Sequence, residues 1–144
     1  MNKILLVLLM SSSINSFASD NLTKNEHIVL SFYDLAFNQH HTVDAAMKFL
    51  AVKYIQHNPG VADGRQGFID AFPQTTKPDL STVEFKRTIS ENDLVVLHSH
   101  AHDVPGDLGY AVVDIFRVQN GLIVEHWDVG QKVPATSKNN NTMF

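Results

Sequence analysis

Gly109–Gln131, GYAVVDIFRVQNGLIVEHWDVGQ, is the stretch whose reading decides the fold. Asn120-Gly121 divides two runs rich in Val, Ile and Phe, and Asn-Gly is the pair best able to take the positive φ angles of a two-residue type I′ turn. The runs are therefore predicted to form an antiparallel hairpin. The turn then sets the register: Gln119 opposite Leu122, Val118 opposite Ile123, Phe116 opposite Glu125 and Asp114 opposite Trp127. Opposed residues share a face, so Asp114, Phe116, Glu125 and Trp127 are expected to point the same way. A carboxylate set among Val112, Val113, Ile115 and Phe116 is costly to bury without a partner, which makes Asp114 the first candidate for chemistry.

Upstream of the hairpin the period is also two. Val83, Phe85 and Ile89 alternate with polar residues from Ser81 onward, and Leu94, Val96, His98, His100 and His102 share one face of a strand over 94–102. Before these strands the spacing is helical. Thr23-Lys24-Asn25-Glu26 fits a capping box, and Ile28, Val29, Phe32, Leu35 and Ala36 continue a helix from Lys24 to Phe37. Thr42 is expected to cap a second helix with Ala45, Ala46, Phe49 and Leu50 on its buried stripe. A third helix begins at Asp63-Gly64 and is stopped by Pro73. Between them, Tyr54–Gly60 reads as a short extended piece ending in the turn that Pro59 and Gly60 force. Three helices followed by antiparallel strands give an α+β fold, with the helices on one side of the sheet.

The chain has 144 residues and no cysteine, which excludes disulfides, thiolate nucleophiles and cysteine metal sites. Residues 1–18 carry Lys3, the apolar run Ile4–Met10 and a small-residue end at Ser16-Phe17-Ala18, the pattern of a secretory signal peptide cleaved before Ser19. The domains expected are thus a signal at 1–18, a single folded domain at 19–134 and a frayed tail at 135–144. The mature protein is expected to be exported, periplasmic or secreted, with no membrane association after cleavage. Loss of Lys3 from eleven basic residues leaves ten against fifteen acidic, a formal net of −5. That balance argues against nucleic acid, which asks for a concentrated basic surface.

The histidines at alternate positions admit three readings. His98, His100 and His102 on one strand face would suit zinc or iron if a carboxylate completed the set, but no further His/Glu pair has metal-motif spacing, and no metal is expected. They could instead serve only as hydrogen-bonding groups. The third reading is acid/base chemistry. If strands 94–102 and 109–118 pair so that His100 opposes Asp114, an imidazole lies beside a carboxylate in an apolar cavity, with His98, Phe116 and Trp127 around it. No Gly-x-Ser-x-Gly elbow or glycine-rich phosphate loop is present, so nucleophilic and phosphoryl-transfer chemistry fit poorly.

Tyr54-Ile55-Gln56-His57-Asn58-Pro59, the Gly64-Arg65-x-Gly67-Phe68 helix start, His98-x-His100 and the Asp114-Ile115-Phe116-Arg117…Glu125-His126-Trp127-Asp128 block together resemble the SnoaL-like polyketide cyclase family. That family lies within the nuclear-transport-factor-two-like superfamily, which includes ketosteroid isomerases. The resemblance covers nearly all of residues 24–134. It implies a cone-shaped α+β barrel in which a bent antiparallel sheet and three helices enclose an apolar pocket. It also implies ring closure by intramolecular aldol condensation without metal or organic cofactor, with Asp114 as acid/base and His100 beside it. The polar segment Gln56, His57 and Asn58 would border the pocket.

The function expected is a cofactor-free small-molecule lyase or isomerase: Asp114 and His100 catalytic; His57, Trp127, Tyr54, His98 and Phe116 contacting the ligand. The alternative is an exported, non-enzymatic binding module for a small apolar ligand in the same pocket. Val113, Ile115, Leu122 and Val124 leave the outer sheet face apolar, so a homodimer is expected, with Arg117 and His126 at the interface.

Overall fold

The computed structural model describes residues 22–74 and 78–144. The expected signal peptide lies outside the described residues. Helix α1 (Lys24–Tyr33) starts on the capping box foreseen: Thr23 Oγ1 accepts from the Glu26 N–H at 3.2 Å, and Glu26 Oε2 accepts from the Thr23 N–H at 2.7 Å. The helix runs on through one widened π turn, Asp34–Asn38. Asn38 in that turn holds both backbone groups of Val83, donating to its carbonyl at 3.1 Å and accepting from its N–H at 2.8 Å. An edge strand is thereby capped by a side chain, which removes an exposed pairing site and ties helix to sheet.

Helix α2 (Thr42–Phe49) is followed directly by strand β1 (Leu50–Gln56), then helix α3 (Gly64–Ala71) and strands β2 (Thr82–Glu91), β3 (Leu94–His102), β4 (Tyr110–Gln119) and β5 (Leu122–Lys132). Thr42 is the first helical residue and His41 the cap, so the expected Thr42 cap bond is not made. Asp63 caps α3 by position only, because its carboxylate accepts the N–H of Gln56 at 2.8 Å. Arg65 of α3 donates twice to the Leu50 carbonyl, at 3.0 and 2.6 Å, and fastens that helix to the α2–β1 junction.

The five strands form one open sheet in the order β1-β5-β4-β3-β2. It is mixed, because β1 runs parallel to β5; the expectation of a purely antiparallel sheet placed no strand between the helices. Bent around the three helices, this sheet gives the cone-shaped α+β fold. Its inner face carries Leu50, Tyr54, Val95, Leu97, Phe116 and Ile123, packed on Val29, Phe32 and Ala36 of the first helix.

Two registers differ from expectation, and both decide which side chains meet. Asn120 and Gly121 take φ values of 53° and 81°, as the turn requires, and Gln119 opposes Leu122 and Val118 opposes Ile123 as foreseen. A β-bulge then intervenes: Arg117 opposes Glu125, Phe116 opposes His126, Ile115 opposes Trp127 and Asp114 opposes Asp128. One extra residue on β5 exchanges its two faces, so His126 and Asp128 turn inward and Glu125 and Trp127 outward. On β3, Leu97 rather than His100 opposes Asp114. Val95, Leu97 and Ser99 therefore face the core, and His98 and His100 take the opposite face.

Candidate active site

Asp114, at mid-β4 and 1 % exposed, is the centre of a buried network. Its Oδ1 accepts from the Tyr33 hydroxyl at 2.6 Å and meets His126 Nε2 at 3.1 Å. The other ring nitrogen, Nδ1, lies 2.9 Å from Gln56 Oε1. The Asn58 backbone N–H donates to that same Oε1 at 2.9 Å, and the Gln56 amide group donates to the Tyr54 hydroxyl at 3.2 Å. These two bonds fix which end of the Gln56 amide is oxygen, so His126 Nδ1 must carry a proton. Nε2 and Oδ1 lie at hydrogen-bonding distance, a contact that one proton between them satisfies. Tyr33, Asp114, His126 and Gln56 thus form one hydrogen-bonded chain in a buried site.

Asp128 sits opposite Asp114 on the inner face. Two carboxylates so placed repel, and the structure offsets this with donors. Asn58 Nδ2 gives hydrogen bonds of 2.9 and 2.7 Å to the Asp128 oxygens, and His126 stands beside Asp114. The His126 ring is stacked on Phe116 at 4.7 Å and lies near-parallel to Tyr54 at 6.4 Å, which holds its plane. Asp114 Oδ2 has no partner among the described residues.

Two cavities flank this network. A narrow one of about 50 Å³ is lined by Tyr33, Tyr54, Gln56, Phe116, His126 and Asp128. A wide one of about 510 Å³ is lined by Tyr33, Phe37, Thr42, Phe72, Ser99 and Val112, among others. Tyr33 belongs to both walls, and Asp114 lies on the inner face between Val112 of one cavity and Phe116 of the other.

Burial, and then the charge of Asp114, push the phenols of Tyr33 and Tyr54 well above the usual tyrosine range. Both therefore stay protonated donors while the chain is folded. The unfolded chain releases these protons near pH 10 and the folded chain does not, so their stabilisation is complete below that pH and is lost as pH rises. Each should cost about 1.4 kcal/mol of stability per pH unit above about pH 10. Urea midpoints between pH 9 and 11.5 should fall accordingly, and tyrosinate absorbance from these two residues should appear only with unfolding.

Of the side chains expected at the site, Asp114, Phe116 and Tyr54 come together. His100 does not join them: its Nε2 lies 2.9 Å from the Leu108 carbonyl and its ring stacks on Phe144 at 4.1 Å. His98 accepts from Arg87 at 2.9 Å, and burial followed by the Arg87 and Lys86 charges lowers its pKa. His98 and His100 point away from Asp114 because the alternate face of β3 is the less polar one and burying it costs less. His57 stacks on Trp127 at 4.7 Å with its Nε2 2.9 Å from Glu125, all on the outer face. Glu125 also accepts from Arg117 at 2.8 Å, and these two contacts hold its carboxyl below the ordinary range. His126, expected at an interface, is 7 % exposed and inside.

Tyr33, His126 and Asp128 were not among the expected site residues. A signal for the last two was present in the charges. The unbulged register sets Phe116 against Glu125, whereas a one-residue bulge sets Arg117 against Glu125, the favourable cross-strand pair. Asp114, His126 and Asp128 also bring one ligand atom each within 4.8 Å of one another. In this conformation His126 and Asp128 spend those atoms on Gln56, Asp114 and Asn58, so the group is built as a hydrogen-bond network.

The family model for SnoaL-like polyketide cyclases matches residues 27–138. No curated protein matches. Among solved structures, a loop-truncation variant of IdmH has 23% identity and a TM-score of 0.61, over 74% of this chain and 91% of the other. Wild-type IdmH is described as a candidate polyketide cyclase from Streptomyces antibioticus. A candidate ketosteroid isomerase from Kribbella flavida gives 13% identity and a TM-score of 0.64, over 81% and 84% of the two chains. An LEH-like epoxide hydrolase from M. tuberculosis gives 17% identity and a TM-score of 0.62, over 75% and 83%. At these identities the likeness is one of fold.

Proposed function

This chain belongs to the SnoaL-like polyketide cyclase family, and from that premise we propose that it is a cofactor-free lyase or isomerase that moves a proton next to a carbonyl. The observation that carries the reading is the 3.1 Å contact between His126 Nε2 and Asp114 Oδ1 within a buried network. Asp114 Oδ2, the oxygen with free lone pairs, takes the proton from the ligand carbon. His126 balances the carboxylate's charge, Asp114 Oδ2 gives the proton back to the ligand, and Tyr33 keeps a donor on Oδ1. His126 takes the role that parity had given to His100. Low dielectric strengthens these interactions and lets a weak carbon acid be ionised near neutral pH.

The test is deuterium exchange at the α-carbons of a bicyclic 1,3-diketone in D2O, followed by proton NMR. Exchange well above the buffer rate supports the reading, and exchange at the buffer rate across a panel of such ketones contradicts it. Burial of Asp114 to 1 % favours one second reading, a binding module that uses the same cavity without turnover.

We also carry the homodimer as a proposal. Trp127, Ile115 and Val113 lie on the outer face, and Val129 is 71% exposed there. A twofold contact over this face would cover them. Sedimentation equilibrium at micromolar concentration should give twice the chain mass; a monomer would show that the face stays open or is covered by the tail, whose Phe144 already packs on His98 and His100.

A further inference from the structure

Three buried side-chain atoms have no hydrogen-bond partner among the described residues: Thr42 Oγ1, Ser99 Oγ and Asp114 Oδ2. An orphaned buried hydroxyl is destabilising, and few survive in a folded protein without a reason. Two of the three, Thr42 and Ser99, line the wide cavity, one from the start of α2 and the other from the inner face of β3. Two other polar side chains of that cavity, His102 and Asp79, are engaged. His102 is bonded to Asp107 at 2.8 Å, and Asp79 accepts from the Ser81 N–H at 2.9 Å. Ser99, 1% exposed, opposes Val112, which places it diagonally from Asp114 on the same face. Such diagonal neighbours lie about 7–8 Å apart, within the span of a single ring.

We propose that Ser99 and Thr42 are specificity-determining residues that bind the oxygen substituents, hydroxyl or carbonyl, of a flat ring ligand lying in the wide cavity. The aromatic side chains of Tyr33, Phe37 and Phe72 supply the ring contacts. The two hydroxyls supply what an apolar wall cannot, a penalty against any ligand that leaves them unpaired. A cavity of about 510 Å³ has the size of an ordinary small-molecule site. The inference rests on the reading of this cavity as a small-molecule site, and it does not depend on turnover.

The test compares 2-naphthol with 2-methylnaphthalene, near-isosteric probes that differ in one oxygen, by fluorescence titration of the full protein. Wild type should prefer the naphthol by about tenfold or more. Ser99→Ala and Thr42→Val should each erode that preference several-fold, and the double variant should lose it, with affinity for 2-methylnaphthalene unchanged. Removing an orphan relieves its cost, so neither single variant should have a lower Tm than wild type. Preference that survives in the double variant, a wild type that does not discriminate, or a clear drop in Tm on either substitution would overturn the proposal. Deuterium exchange on the same proteins keeps the two readings apart: absent exchange with the oxygen preference intact strikes the catalytic reading alone.

Discussion

Asp114→Asn is expected to lower α-proton exchange by about 10³-fold, within the range by which a positioned acid or base accelerates a reaction. The variant keeps the shape of the side chain and an oxygen able to accept from Tyr33, so the fold should survive, with an unchanged far-UV circular dichroism spectrum. It removes the lone pairs on Oδ2 and the charge that holds the shared proton. Affinity for an unreactive ligand should stay within a few-fold of wild type, since the substitution keeps the size and shape of the side chain. Loss of exchange with retained binding separates catalysis from the binding-module reading. Exchange at the parent rate in this variant would remove Asp114 from the chemistry.

Phe32→Ala is expected to cost about 3–5 kcal/mol of folding stability, as for a large ring removed from a close-packed core. Phe32 is 1% exposed and sits where the helices meet the sheet. Its ring lies 5.3 Å from Phe68, 6.3 Å from Phe116 and 6.4 Å from Phe49. It also packs edge-on against Tyr33 at 6.0 Å, so the hole would open behind the side chain that bonds Asp114. Urea unfolding should show the loss, and Phe32→Leu should recover much of it by refilling the space. Phe72, 37% exposed, provides the control: Phe72→Ala should cost far less. A loss under about 1 kcal/mol for Phe32→Ala would contradict the packing described.

Local signals carried most of the fold. The capping box at Thr23, the Asn120-Gly121 turn, the helical stripes and the two-residue period after Ser81 all appear where the residues place them. Leu50–Gln56 was harder, because a parallel strand between two helices is defined by its distant partner β5 and has no turn signal of its own. The site was legible in part. Asp114 stood out as a carboxylate in an apolar strand, and the burial cost that marked it is real. Its partner was misassigned because alternation fixes a face only while the ladder is unbroken. A single bulge beyond Val118 put His126 inside and Trp127 outside, and the loop between β3 and β4 left the parity of the histidines open. Tyr33 reaches Asp114 across 81 residues of chain, a contact made by helix packing on the sheet that no local pattern encodes.

The central claim is that Asp114 and His126 act as one proton-carrying unit. It is tested most directly by nitrogen-15 NMR of protein labelled at histidine, observed at neutral pH. The account predicts that Nδ1 of His126 carries a proton bonded to Gln56, and that a second, low-field proton lies between Nε2 and Asp114 and is lost in Asp114→Asn. An Nδ1 without a proton, or a low-field resonance that persists in Asp114→Asn, would contradict it.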